Sequence, residues 1–156
     1  MADICGHVDY EIEVPVDIYF VGEKEPSGIV WWVRHPECEA AEILAARHAA
    51  EIQLEQIAKL SEGYEPPSGN ADARREREKV AACVSRWDWG DWTFENGTVP
   101  ECDFDGVMQV LEKQKWLFSD PYKAINKIAN FTNPVRTSSV KTSGSKSVTE
   151  AKTTTD

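Results

Sequence analysis

Trp87-Asp88-Trp89-Gly90-Asp91-Trp92-Thr93-Phe94 gathers three of the chain's six tryptophans and a phenylalanine into one short stretch. A tryptophan ring buries a large area at low conformational cost, so it tends to anchor a small core or a protein interface. Asp88, Gly90 and Asp91 interrupt the apolar run, and the segment reads as a turn that directs several rings inward. What those rings pack against decides the fold.

On the N-terminal side, Arg74-Arg75-Glu76-Arg77-Glu78-Lys79 belongs to a helix that Asn70 or Asp72 can cap. It is expected to bring Ala73, Val80, Val84 and Trp87 to one side. On the C-terminal side, the stretch from Trp92 to Val99 reads as a small hairpin, because Asn96-Gly97 suits the left-handed dihedrals of a tight turn. After Pro100, Asp103 or Asp105 can cap a short helix carrying Val107, Val110 and Leu111. Asp120-Pro121 opens a last helix whose apolar side is Ala124, Ile125, Ile128 and Phe131.

Nearer the N-terminus, Tyr10, Ile12, Val14, Val16, Ile18 and Phe20 alternate with other residues, the period of a strand with one buried face. Pro15 cannot donate a ladder hydrogen bond and places this strand at a sheet edge. A Gly- and Pro-containing loop leads to Ile29-Val30-Trp31-Trp32-Val33-Arg34, a second strand that completes an antiparallel hairpin. Adjacent side chains of a strand point to opposite faces, so one of Trp31 and Trp32 faces away from the main packing side. From Glu37 to Leu60, Ile43, Ala46, Ala50, Leu54 and Ile57 fall in one narrow arc, the apolar stripe of an amphipathic helix. Gly63-Tyr64-Glu65-Pro66-Pro67-Ser68-Gly69 is a loop.

These elements predict an α+β domain over residues 10–132: an N-terminal antiparallel β-hairpin packed with about four helices, and a small second hairpin after the Trp cluster. Residues 1–9 are expected to be a flexible N-terminus. Residues 133–156, rich in Ser, Thr and Lys, hold too little apolar surface to offset the entropy of ordering and are expected to be a disordered tail.

The net charge of −10 opposes phosphate-directed binding of nucleic acid, which needs clustered Lys and Arg. It fits a self-repelling soluble protein whose partner is another protein. The start Met1-Ala2-Asp3-Ile4-Cys5 lacks the basic and apolar regions of a signal peptide, and no window reaches the roughly 18 apolar residues of a membrane span. A cytoplasmic location follows as the expectation, with Cys5, Cys38, Cys83 and Cys102 as free thiols. The sequons Asn96-Gly97-Thr98 and Asn130-Phe131-Thr132 are then chance matches.

Catalytic motifs are missing: no nucleophile elbow, no phosphate-cradling Gly-rich loop and no His-Glu-x-x-His. His48 sits at the edge of the helical stripe, and Asp88 with Asp91 reads as a solvated turn rather than an acid–base pair. Cys5, His7, His35 and Cys38 are a weak alternative as zinc ligands, since one residue between Cys5 and His7 is tighter than finger spacing. No metal or cofactor is expected. The run from Arg74 to Lys79 reads as an ion-paired helix face. Trp87, Trp89 and Phe94 are assigned to the core, with Gly97, Phe104 and Phe131 as further fold-defining positions. Trp31, Trp32, Trp92 and Trp116 are the candidate partner anchors.

The order of these features resembles that of the tail assembly chaperones of long-tailed bacteriophages. The strand pair at Val16–Phe20 and Ile29–Val33 leads through His35-Pro36-Glu37 into an Ala-rich helix; Val84-Ser85-Arg86-Trp87 then meets a Trp89-Gly90-Asp91 turn. An Asn96-Gly97 turn, a helix led by Phe104, Trp116 and a closing Ala129-Asn130-Phe131 complete the pattern over residues 12–131. Arg86 replaces the Gly common before the first Trp, and Asp88-Trp89 adds a second ring. The resemblance implies a non-enzymatic protein of the host cell cytoplasm that binds the tape measure protein, helps recruit tail tube subunits and is absent from the mature virion; self-association is a further expectation. The alternatives are a structural tail completion or connector protein of the virion, and a small zinc-binding regulatory module.

Overall fold

The computed structural model describes residues 4–65 and 71–132. Three short strands, β1 (Val14–Asp17), β2 (Val30–Val33) and β3 (Val84–Asp88), form one antiparallel sheet in the order β1-β2-β3. Four helices pack with it: α1 (Glu39–Ala58), α2 (Ala71–Cys83), α3 (Phe104–Lys113) and α4 (Ser119–Ile125). The fold is α+β, as predicted. No helix among the described residues is long and apolar enough to cross a membrane.

Pro15 lies opposite Trp32 on edge strand β1, where a missing N–H costs the ladder little. Beyond β1, the Ile18 N–H donates to the Ile29 carbonyl at 3.0 Å, so the hairpin continues until Ile18 is fully buried. Trp31 and Trp32 separate onto the two sheet faces, Trp31 inward and Trp32 outward.

The third strand falls where the sequence pattern predicts helix. Helix α2 stops at Cys83, and the chain enters β3 at the next residue, pairing Trp87 with Trp31 and Arg86 with Trp32. The alternation Val84-Ser85-Arg86-Trp87 with an empty hydrogen-bonding edge on β2 wins over helical continuation, and a register shift at Trp32/Val33 absorbs the join. This places Trp87 in the sheet, where its ring meets Trp31 at 5.2 Å and Trp89 at 5.6 Å. Phe94 closes the group on Trp89 at 6.0 Å. The rings join the aliphatic core of Ile18, Val33, Val80, Val107, Val110, Leu111 and Ile125.

Local chemistry shapes the remaining turns. Asn96 and Gly97 both take positive φ, 53° and 73°, and Glu95 and Thr98 exchange two backbone hydrogen bonds around them, so the second hairpin is a single tight turn. Asp103 caps α3, its carboxylate accepting the Gly106 N–H at 2.7 Å, and Asp105 lies inside the first turn. Phe104 packs half-buried against the core. The last helix is shorter than predicted: α4 ends at Ile125, Ile128 is exposed, and Phe131 reaches the core from a separate 3-10 turn, Ile128–Phe131. The N-terminal segment is also more structured than expected. Ile4–Gly6 form a 3-10 turn, Val8 bridges Thr132, and the Asp9 N–H donates to the Phe131 carbonyl at 2.8 Å. Asn70 and the 133–156 tail lie outside the described residues.

His35 is the buried ionisable side chain of this junction. Its Nδ1 accepts the Glu37 N–H at 2.9 Å, and Tyr10 and Phe131 meet its ring edge-on at 4.6 and 5.1 Å. Burial lowers its pKa from the ordinary histidine value, against a smaller opposing pull from Glu37. The unfolded chain then binds the extra proton first, so stability rises with pH between the folded value and about 6.5. Wild-type protein is expected to lose urea resistance as pH falls from about 7 toward 5. His35→Gln, which keeps an acceptor but does not titrate, should flatten this dependence; parallel pH curves for the two proteins would show that another group is responsible.

Candidate functional site

A surface aromatic cluster forms where the loop after β1, the Trp turn and the 3-10 segment after α3 converge. Trp92 follows the corner at Gly90, whose φ of 60° and close approach to the Gly28 carbonyl bring the turn against the hairpin loop. Its indole N–H donates to the Ser27 carbonyl at 3.1 Å, while its ring meets Phe20 edge-on at 4.8 Å. Phe20 in turn contacts Trp116 at 5.8 Å. Trp116 is held by its indole N–H donating to the Gln114 side-chain oxygen at 3.1 Å, and it is half-buried. The result is a continuous aromatic row, with Trp92 49 % exposed at its open end.

Two of the four predicted anchors therefore share one site, and Phe20, which bridges them, was assigned only to strand alternation. Trp32 lies apart, on the outer sheet face, with the Arg86 guanidinium 4.0 Å above its ring. Arg86 also pairs with Glu13 at 2.9 Å, which holds the Glu13 carboxyl below the usual carboxylate range. Trp31 is corrected as an anchor: it is completely buried beneath Trp87 and Trp89 and is closed to any partner. Of the two faces offered by Trp31-Trp32, the sequence does not say which is covered; the position of β3 decides it.

A second apolar surface lies on α1. The expected amphipathic character is not found: the Ala, Ile and Leu residues of α1 are spread around the helix, and the stripe predicted to turn inward faces out. Ala41 and Leu44 enter the body, whereas Ile43, Leu54 and Ile57 are 61 %, 67 % and 57 % exposed. Charge explains the inversion. The outer half of α1 mates with α2 through Glu51 to Arg74 at 3.1 Å, Glu55 to Arg75 at 2.7 Å and His48 to Glu78 at 2.8 Å. Arg74 holds the Glu51 carboxyl below its ordinary range. With the polar side committed to this seam, the stripe at Ile43, Ala46, Ala50, Leu54 and Ile57 faces solvent.

The zinc alternative is not supported by the placement of its residues. Cys5 and His7 are exposed on the N-terminal segment, whereas His35 and Cys38 are buried, with His35 Nδ1 already engaged by the Glu37 N–H. No group of three or more His, Cys, Asp or Glu among the described residues is arranged to hold a metal ion. Cys38 and Cys83 are buried free thiols, and the Cys83 Sγ donates to the His35 carbonyl at 3.7 Å. The neighbouring Cys38 thiol and burial push Cys83 far above its ordinary range, and burial raises Cys102 to about 11. No family model, curated protein or solved structure matches the chain.

Proposed function

We propose that this protein is a non-enzymatic tail assembly chaperone of a long-tailed bacteriophage, acting in the host cytoplasm. It binds helical segments of the tape measure protein, helps bring tail tube subunits to them, and leaves before the particle matures. The row of half-buried Phe20 and Trp116 ending in exposed Trp92 carries this reading, because pre-positioned rings take up the apolar side of a client helix with little further ordering. The net charge of −10 supports it by opposing aggregation of client-loaded protein.

Co-expression with the tape measure protein tests the proposal. Wild-type chain is expected to raise the soluble yield of that protein, and Trp92→Ala to weaken the complex by roughly 30-fold, as loss of a central aromatic anchor does. The same substitution removes one hydrogen bond and an exposed ring contact, so it should cost about 1 kcal/mol of stability by urea unfolding. Unchanged client solubility in wild type, or this chain at stoichiometric level in purified mature tails, would overturn the reading; the latter result would favour a tail completion or connector protein.

A further inference from the structure

We propose that α1 pairs antiparallel with α1 of a second copy, about a two-fold axis passing beside Ala50. This goes beyond the chaperone reading and rests on a different surface. The stripe is nearly palindromic about residue 50. Antiparallel pairing sets Ile43 against Ile57 of the second copy and Ala46 against its Leu54, with Ala50 meeting Ala50 on the axis. Large side chains thus oppose large ones at the ends and small ones near the middle. The central alanines let the helix axes approach to about 8 Å. An isologous contact of this kind closes on itself and needs no other surface.

Charge fits the same register. Arg47 is exposed and makes no ion pair among the described residues. At 100° per residue, Arg47 and Glu51 lie on one flank of the stripe, and a two-fold axis perpendicular to the helices turns that flank toward its own copy. Arg47 of each protomer then reaches Glu51 of the other, whose carboxylate is about one-third exposed beside Arg74 and Arg75. Glu42, on the opposite flank, meets Gln56 rather than another acid. A single helix pair buries less than the roughly 800 Å² per partner of a standard stable interface, so the dimer exchanges with monomer in the micromolar range.

Sedimentation of the full chain across about 1 to 200 micromolar should show a reversible monomer–dimer equilibrium. Ala50→Glu sets two carboxylates together on the axis and should weaken the dimer by on the order of a hundredfold. Residue 50 is solvent-exposed in the single chain, so the variant should keep the wild-type circular dichroism and melting temperature. Orientation is read in a Cys5→Ser background: mixing Ile43→Cys with Ile57→Cys protein and oxidising with diamide should give the mixed disulfide dimer in preference to either homodimer. A monomer throughout the range, a dimer unaffected by Ala50→Glu, or a preference for the two homodimers, as a parallel pair would give, would each overturn the proposal. Client solubilisation is measured separately through Trp92, so failure of one surface leaves the other standing.

Discussion

Replacing Trp31 with alanine is expected to remove about 3–5 kcal/mol of stability, a large part of the total of a domain this size. The residue sits at the middle of the central strand, opposite Val16 on one side and Trp87 on the other, with no exposed surface. Its ring supports both Trp87 and Trp89, at 5.2 and 6.2 Å, so truncation opens a cavity under the whole aromatic corner. Trp31→Phe should cost less than half as much. The Trp31 indole N–H is buried without a hydrogen-bond partner among the described residues, so phenylalanine gives up size but no hydrogen bond seen there. Urea unfolding followed by far-ultraviolet circular dichroism separates the two variants without relying on tryptophan emission. A loss under about 1 kcal/mol for Trp31→Ala would show that the corner is held by something other than this ring.

The contrast with Trp92 shows which parts of the fold were legible in the sequence. The edge position of Pro15, the Asn96-Gly97 turn and a cap at Asp103 or Asp105 follow from local chemistry and appear in the structure, with Asp103 the cap, whereas the alternation expected from Tyr10 to Phe20 forms a strand only over Val14–Asp17. Local chemistry could not show that Val84 to Asp88 would leave the helix, because that choice depends on the free edge of β2, some fifty residues earlier. Without β3, the assignment of Trp31 to the covered face has no basis. The α1 stripe was legible as a pattern but not as a direction. Its burial depends on whether α2 offers apolar residues or arginines to the facing side, and Arg74 and Arg75 settle that in favour of an ion-paired seam. The candidate site was half legible: Trp92 and Trp116 were singled out individually, while the Phe20 bridge between them arises only when three separate segments meet.

That inversion of α1 gives the molecule two apolar surfaces of different character. The aromatic row is short and hydrogen-bonded at both indoles, and under the proposed function it would seat a few side chains of a client. The α1 face is long, aliphatic and self-complementary, suited to another helix of its own kind. Under the two proposals above, dimerisation and client capture use different elements and can proceed together, and a dimer would offer two aromatic rows to one elongated partner. Linked sites of that kind gain avidity without new contacts when the client spans both.

Gly106→Ala is expected to destabilise the protein by at least about 2 kcal/mol, although helix propensity alone favours alanine by about 1 kcal/mol. Gly106 lies in the first turn of α3, fully buried, where the chain folds back on itself after Pro100. A Cβ built there falls well inside the carbonyl oxygen of Glu101, with the Asp103 carboxylate oxygen 3.2 Å away on the other side. The Glu101 oxygen is backbone, and it is fixed because it accepts the Asp103 N–H at 3.0 Å. It cannot move aside without disturbing the residue that caps the helix. Relief of the clash would pull Asp103 from the Gly106 N–H, which it accepts at 2.7 Å, and lift Val107 and Leu111 from the core. Asp103→Ala, which removes the cap without a clash, should cost only about 1 kcal/mol and provides the comparison. If Gly106→Ala instead melts at or above the wild-type temperature in calorimetry, the Glu101 carbonyl is free to turn away, and the close approach at the start of α3 is not a constraint on the fold.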